Sequence, residues 1–155
     1  MKESLVEAWR TNHRINLLLL EKISGEGLAC TLSKRGGRDV ARQFAHMHDV
    51  RLHHMEKRAP DLAPGLVKFA SKDPPEREAL VAAHEASTAA VETFLVDVLE
   101  GAPRRRGFRK GIFTTLAYFI AHESHHRGSI LLTLKECGHK VDNTIAYAIW
   151  DWDRR

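Results

Sequence analysis

Apolar side chains recur at helical spacing through four long stretches of this 155-residue chain. The first runs from about Lys2 to Ser24, where Leu5, Ala8, Trp9, Asn12, Ile15, Leu19 and Ile23 fall near one face, and Gly25 and Gly27 end it. A loop follows to Gly36-Gly37. The second helix is predicted to start at Asp39, an N-capping residue type, and to run to about Arg58 before Pro60 and Pro64. Residues 59–73 connect it to the third, with a short turn expected around Leu66 to Phe69. Asp73-Pro74-Pro75-Glu76 reads as an acidic cap followed by prolines suited to a first helical turn. That third helix extends to about Glu100, and Gly101-Ala102-Pro103 breaks it. The fourth spans about Arg109 to Cys137 without a proline, and Gly138 is its C-terminal stop. The tail, His139 to Arg155, carries Tyr147, Trp150 and Trp152 and is expected to lay a short helix or extended piece over the bundle. No stretch alternates with period two, and none repeats. The pattern predicts an all-α four-helix bundle with a short C-terminal extension, a single domain over residues 1–155.

Composition adds bounds. The apolar fraction of 43% suits a folded domain large enough for a core. No apolar run approaches a membrane span, and Ile15 to Leu20 is too short for a signal-peptide core, so a cytoplasmic protein with no membrane partner is expected. Cys30 and Cys137 form no CxxC and are expected to be packed or idle rather than bridged. The net charge of +4 is modest. Arg104-Arg105-Arg106 lies between Pro103 and Gly107 without aromatic interleaving, which favours a solvated basic loop over a nucleic-acid contact.

Candidate chemistry concentrates in the histidines, of which there are ten. His122-Glu123-Ser124-His125-His126 is the most informative string, because residues four apart on a helix stack on one face. On a helical wheel, Ile112, Phe119, Ile130 and Cys137 share a direction; His126 lies within roughly 20° of it and His122 about 60° away. Two imidazoles aimed inward together favour a metal site over lone hydrogen-bonded core residues. The string also contains His-Glu-x-x-His, as in zinc proteases, but lacks a downstream third ligand. It contains Glu-x-x-His, as in di-iron bundles, but no second copy exists. A mononuclear site completed by the second helix is left. There, Val40, Ala41, Phe44 and Leu52 define a face that includes His48, whereas His46 reaches only the edge of a broader face; pattern alone slightly favours His48.

His122-Glu-Ser-His-His126-Arg127-Gly128-Ser129-Ile130 resembles the late motif His-x-x-x-His-Arg-Gly-Gln-Ile of the DinB-like (DinB/YfiT) family, with Ser129 in place of glutamine. Phe44-Ala45-His46-Met47 follows the family's second-helix frame, with His54 where tryptophan is usual. The resemblance covers essentially the whole chain. It implies a four-helix bundle with one metal ion held by His46, His122 and His126, which selects His46 over His48. It also implies thiol S-transferase or hydrolase activity, a low-molecular-weight thiol such as bacillithiol or mycothiol, and homodimers.

Three histidines leave an open coordination position, as catalytic sites do. Zinc is the first choice, and nickel, iron or manganese are compatible with the same ligands. The expected function is a metal-dependent enzyme acting on a small-molecule substrate, with Glu123 as an acid, base or orienting group. A non-enzymatic metal-binding stress-response module and a plain interaction bundle are the alternatives. Asn12, His13 and Asp49 are further candidates for contacts around the site or with substrate.

Overall fold

The computed structural model describes residues 1–69 and 74–155. Four long helices dominate: α1 (Lys2–Lys22), α3 (Val40–Arg58), α4 (Arg77–Leu99) and α5 (Ile112–Glu136), with short α2 (Gly25–Leu28) between the first two and short α6 (Asn143–Ala148) after the last. Among the described residues there is no strand. The all-α bundle read from the sequence is the fold.

Most boundaries obey local chemistry. Asp39 caps α3, its Oδ1 accepting from the Arg42 amide at 2.7 Å. Gly138, at φ 80°, follows the end of α5. The stretch after α1 departs from expectation. Gly25 and Gly27 build α2, which Ser24 caps through its Oγ at 3.0 Å from the Gly27 amide. Gly27 is small for a packing reason: a Cβ there would stand 2.9 Å from Ile23 and 3.1 Å from Leu134 of α5. The turn expected at 66–69 is instead a 3-10 turn at Pro60–Leu62. Pro74 and Pro75 precede α4 rather than forming its first turn, and Glu76 is the residue at its N-cap. The expected cap Asp73 lies outside the described residues.

The core has two apolar halves. One gathers Leu19, Leu20, Phe44, Met47, Leu80, Ile130 and Leu134. The other gathers Leu5, Trp9, Met55, Val91, Phe94, Leu116 and Phe119. The order in which each helix visits them shows that α1 and α5 run one way and α3 and α4 the other. The end of α3 and the start of α4 therefore lie at opposite ends of the bundle, and after α3 the Val67 carbonyl accepts from His48 Nε2 at 2.7 Å. At the far end Arg77 donates to the Leu20 and Ile23 carbonyls, tying the start of α4 to the electronegative end of α1.

A polar layer separates the two halves. Glu123 Oε1 accepts from Arg51 Nε at 2.6 Å. Its Oε2 accepts from Arg51 Nη2 at 2.9 Å and from the Asn12 and Asn16 amides, both at 2.6 Å. Those two amides accept in turn from Arg127 Nη1 at 2.8 and 2.6 Å. Arg51 Nη1 reaches Thr88 Oγ1 at 2.8 Å on α4, and its guanidinium lies 4.8 Å over the Trp9 ring. One network thus joins all four long helices.

The C-terminal tail holds α6 and a 3-10 turn at Trp152–Arg154. Ile149 is buried, but Tyr147 and Trp150 face solvent rather than covering the bundle. Cys30 and Cys137 are unbridged and half-buried, and the fold makes them neighbours. No helix is long and apolar enough to cross a membrane, among the described residues.

Candidate metal centre

His46 on α3 and His122 and His126 on α5 converge at the rim of the bundle. One ring nitrogen from each lies within 4.8 Å of those of the other two, and no other such cluster of potential ligands occurs among the described residues. Ring centroids stand 5.5 Å apart for His46 and His122, 4.9 Å for His46 and His126, and 4.7 Å for His122 and His126. Tetrahedral zinc with bonds of about 2.0–2.1 Å holds its ligand atoms about 3.3 Å apart, so small ring rotations close the cluster on an ion. The donor set fits: three half-buried imidazoles from two rigid helices, and no carboxylate among them.

The imidazoles are poised as neutral donors. Burial pushes His46 down to about 4, with the Arg38 guanidinium and His122 adding to the effect. Burial likewise takes His126 down to about 4, reinforced by His122 and His46. His122 is lowered too, chiefly by burial. Neutral imidazole offers the lone pair that a metal needs.

His48 stands elsewhere. It is fully buried, as the apolar pattern required, with Nε2 at 2.7 Å from the Val67 carbonyl and its ring 6.4 Å from that of His84. The wheel chose a core residue and the family frame chose the converging one. The buried positions of α5 are Thr115, Leu116, Phe119, Glu123, Arg127, Ile130, Thr133 and Leu134, centred within about 15° of the direction given by Phe119 and Ile130, with His126 about 40° and His122 about 80° off that centre. His122 and His126 therefore sit on the flank, where an ion remains reachable from solvent.

Glu123 points into the polar layer, both carboxylate oxygens taken by the four donors described above. Burial alone would raise its carboxyl, but Arg51 outweighs burial and holds it down at about 2. Asn12 belongs to the same network rather than to the histidine cluster. His13 is pushed down to about 4 by burial, then by Arg51, and its Nδ1 has no hydrogen-bond partner. Asp49 accepts from the Phe69 amide at 3.2 Å. It shares a hollow of about 420 Å³ with His46, Arg38 and Lys68. Burial raises the Asp49 carboxyl. A larger hollow, about 1080 Å³, lies against the start of α1 and touches none of the three histidines.

Arg51, Arg127 and Asn16 escaped sequence reasoning. Their signal was there: Glu123 and Arg127 continue the spacing of Phe119, Ile130 and Leu134, so two charges occupy core positions. His54, where the family places tryptophan, does an aromatic job. Its ring packs 5.0 Å from Tyr118 and 5.3 Å from Phe119, and Tyr118 stacks on His122 at 6.2 Å.

Residues 1–153 match the DinB family. No curated protein matches the chain.

Proposed function

Because the chain belongs to the DinB family, and its three converging imidazoles leave coordination positions open, we propose that it is a divalent-metal-dependent enzyme of the thiol S-transferase or hydrolase type. The observation that carries the reading is the convergence of His46, His122 and His126 from two helices, with their ring nitrogens within 4.8 Å of one another. These three residues would hold the ion, zinc as the first choice. Bound there, a divalent ion supplies Lewis acidity that lowers the pKa of a coordinated water or thiol.

The chain's own residues supply the rest. His54, Tyr118 and Phe119 form an aromatic cluster beside His122. The hollow beside His46 offers room for a small-molecule substrate, with Arg38 and Lys68 at its mouth and Asp49 within reach. Glu123 acts as a positioning residue. A carboxylate held by four donors and pushed down to about 2 has neither a free lone pair nor a matched pKa for proton transfer near neutrality. The low-molecular-weight thiol rests on the family resemblance alone.

A cytoplasmic homodimer completes the reading. Its support is surface chemistry: Tyr147 and Trp150 are 76% and 74% exposed, and a Cβ at Gly128 would point into open space. Sedimentation at several concentrations tests that part.

The central test is metal analysis of protein purified without an affinity tag, before and after reloading with zinc. One equivalent per chain is expected, lost in His46→Ala and His126→Ala. Thiol-conjugation and hydrolase screens of the loaded protein follow. Failure to retain metal after reloading sinks the site. Stoichiometric metal without turnover favours the non-enzymatic metal-binding module.

A further inference from the structure

The three consecutive arginines divide their work. Arg105 turns inward to pair with Asp61 at 2.6 Å and Asp97 at 2.8 Å. Arg104 and Arg106 stay exposed and, with His53, His54, Lys57 and Arg58, line a hollow of about 400 Å³. Four of these six lining side chains are Lys or Arg and none is a carboxylate. An ordinary surface intersperses its signs; a concave wall of one sign concentrates an attractive field for the opposite charge.

The wall is built rather than merely solvated. Arg58 Nη1 donates to the carbonyls of Arg106 and Gly107, both at 3.1 Å, and its guanidinium stacks 4.6 Å over the Phe108 ring. Its Nε donates to His54 Nδ1 at 3.3 Å, which leaves the neutral His54 ring with its proton on Nε2 as a donor. Arg104 is the one described residue other than glycine with a positive φ, 65°. A bulky side chain in that region is held against its local preference, a feature that clusters at ligand clamps. The hollow also adjoins the histidine cluster, since His54 packs on Tyr118 and Tyr118 stacks on His122.

We propose that this hollow binds a dianion of the phosphate class carried by a small molecule. The size of the hollow suits a compact group, and several guanidiniums with no counter-carboxylate match a doubly charged tetrahedral group better than a single carboxylate. The site does not depend on the metal.

The test uses the full chain stripped of metal with a chelator, so that phosphate has no ion to bind. Calorimetric titration at low ionic strength compares inorganic phosphate, phenyl phosphate and acetate. Saturable binding of the two phosphates at one site is expected, with acetate weaker. Arg104→Gly combined with Arg106→Ala, which suits the positive φ while removing two charges, should weaken it by at least about 10-fold. Lys57→Ala, an exposed change on α3, provides a second variant should the loop pair disturb folding, and should weaken binding in the same direction. Arg35→Ala, outside the hollow, and His126→Ala should leave it unchanged. The proposal is overturned by absent or non-saturable phosphate binding, by acetate binding as tightly, or by equal binding in the Lys57 and loop variants. A single-stranded oligonucleotide that binds more tightly than phenyl phosphate and is lost in the loop variant overturns it too. None of these outcomes bears on zinc retention, which is measured separately.

Discussion

Glu123→Gln separates a positioning role from a proton-transfer role. In the native protein Arg51 and Glu123 are 0% and 1% exposed, and the carboxylate receives N–H donors alone. Glutamine keeps the shape but turns one acceptor into a donor, so at least one amide N–H must face Arg51, Asn12 or Asn16. It also removes the charge that compensates a buried guanidinium. Breaking a buried pair in this way costs about 3–5 kcal/mol, a large share of the roughly 5–15 kcal/mol that holds a domain of this class together. With a urea m-value of about 2 kcal/mol/M, the unfolding midpoint should fall by about 2 M. The assay is urea denaturation of chelator-treated protein at neutral pH. His126→Ala is the comparison and should cost under about 1 kcal/mol, because that ring is half-buried and takes part in none of the network's hydrogen bonds. Arg51→Met should cost about as much as Glu123→Gln, and the double variant much less than their sum. A Glu123→Gln protein within about 1 kcal/mol of wild type would refute the network's role. If that variant also lost turnover, Glu123 would be a catalytic group after all.

Other expectations follow from the same contacts. His84 is pushed down to about 3 by burial, then by the Arg51 charge, while the unfolded chain protonates near 6.5. The unfolded state therefore takes up the proton first: the contribution of His84 is complete above pH 6.5 and falls by about 2 kcal/mol at pH 5, on top of the losses from the lowered His13, His46, His54 and His126. Urea midpoints against pH should show that slope, shallower in His84→Gln; a flat profile defeats the assignment. Zinc at 100 times its Kd should stabilise the protein by about 2.7 kcal/mol. That gain should vanish in His46→Ala and persist in His48→Phe, read as a thermal shift with and without zinc. Gly27→Ala should destabilise by about 1–3 kcal/mol, because its methyl group would overlap Ile23 and Leu134; an unchanged midpoint would mean that the contact relaxes freely.

The four long helices were legible because apolar periodicity, a capping aspartate and a terminal glycine all spoke for the same boundaries. The polar layer was not, because a wheel built on apolar residues ignores a buried charge. The face drawn through Ile112, Phe119, Ile130 and Cys137 lay close to the buried one, but Glu123 and Arg127 were not counted into it because they are charged. The same bias favoured His48, which burial did select, over His46, which meets His122 and His126 at an edge. Hydrophobic periodicity finds what a helix hides, whereas an open metal site sits where hiding stops. The His-x-x-x-His spacing could name a pair of ligands but not their third partner. That partner depended on the relative rotation of two helices more than 70 residues apart in the chain.

That rotation is where the network and the candidate centre meet. Glu123 follows His122 directly, and Arg127 follows His126. On a helix each step turns about 100°, so fixing the two charged side chains inward fixes the two histidines outward at a set angle. On α3, Arg51 lies one and a half turns after His46, and its guanidinium grips the same carboxylate. Sliding or rolling α3 against α5 would strain the Arg51–Glu123 bonds before it moved His46 from its partners. An apolar layer in this position would tolerate such slips, because methyl groups pack well in several registers, whereas a buried charge pair has one satisfied geometry. The layer can therefore cost stability relative to a hydrophobic replacement while fixing three imidazoles in the constellation that the proposed metal would need. The sharpest consequence is a variant with Arg51→Met and Glu123→Leu together. It should stay folded, regaining most of the stability that either single change loses, yet bind zinc more weakly than wild type. Zinc affinity equal to wild type in that stable variant would show that the network shapes the bundle alone and leaves the histidines to find their own geometry.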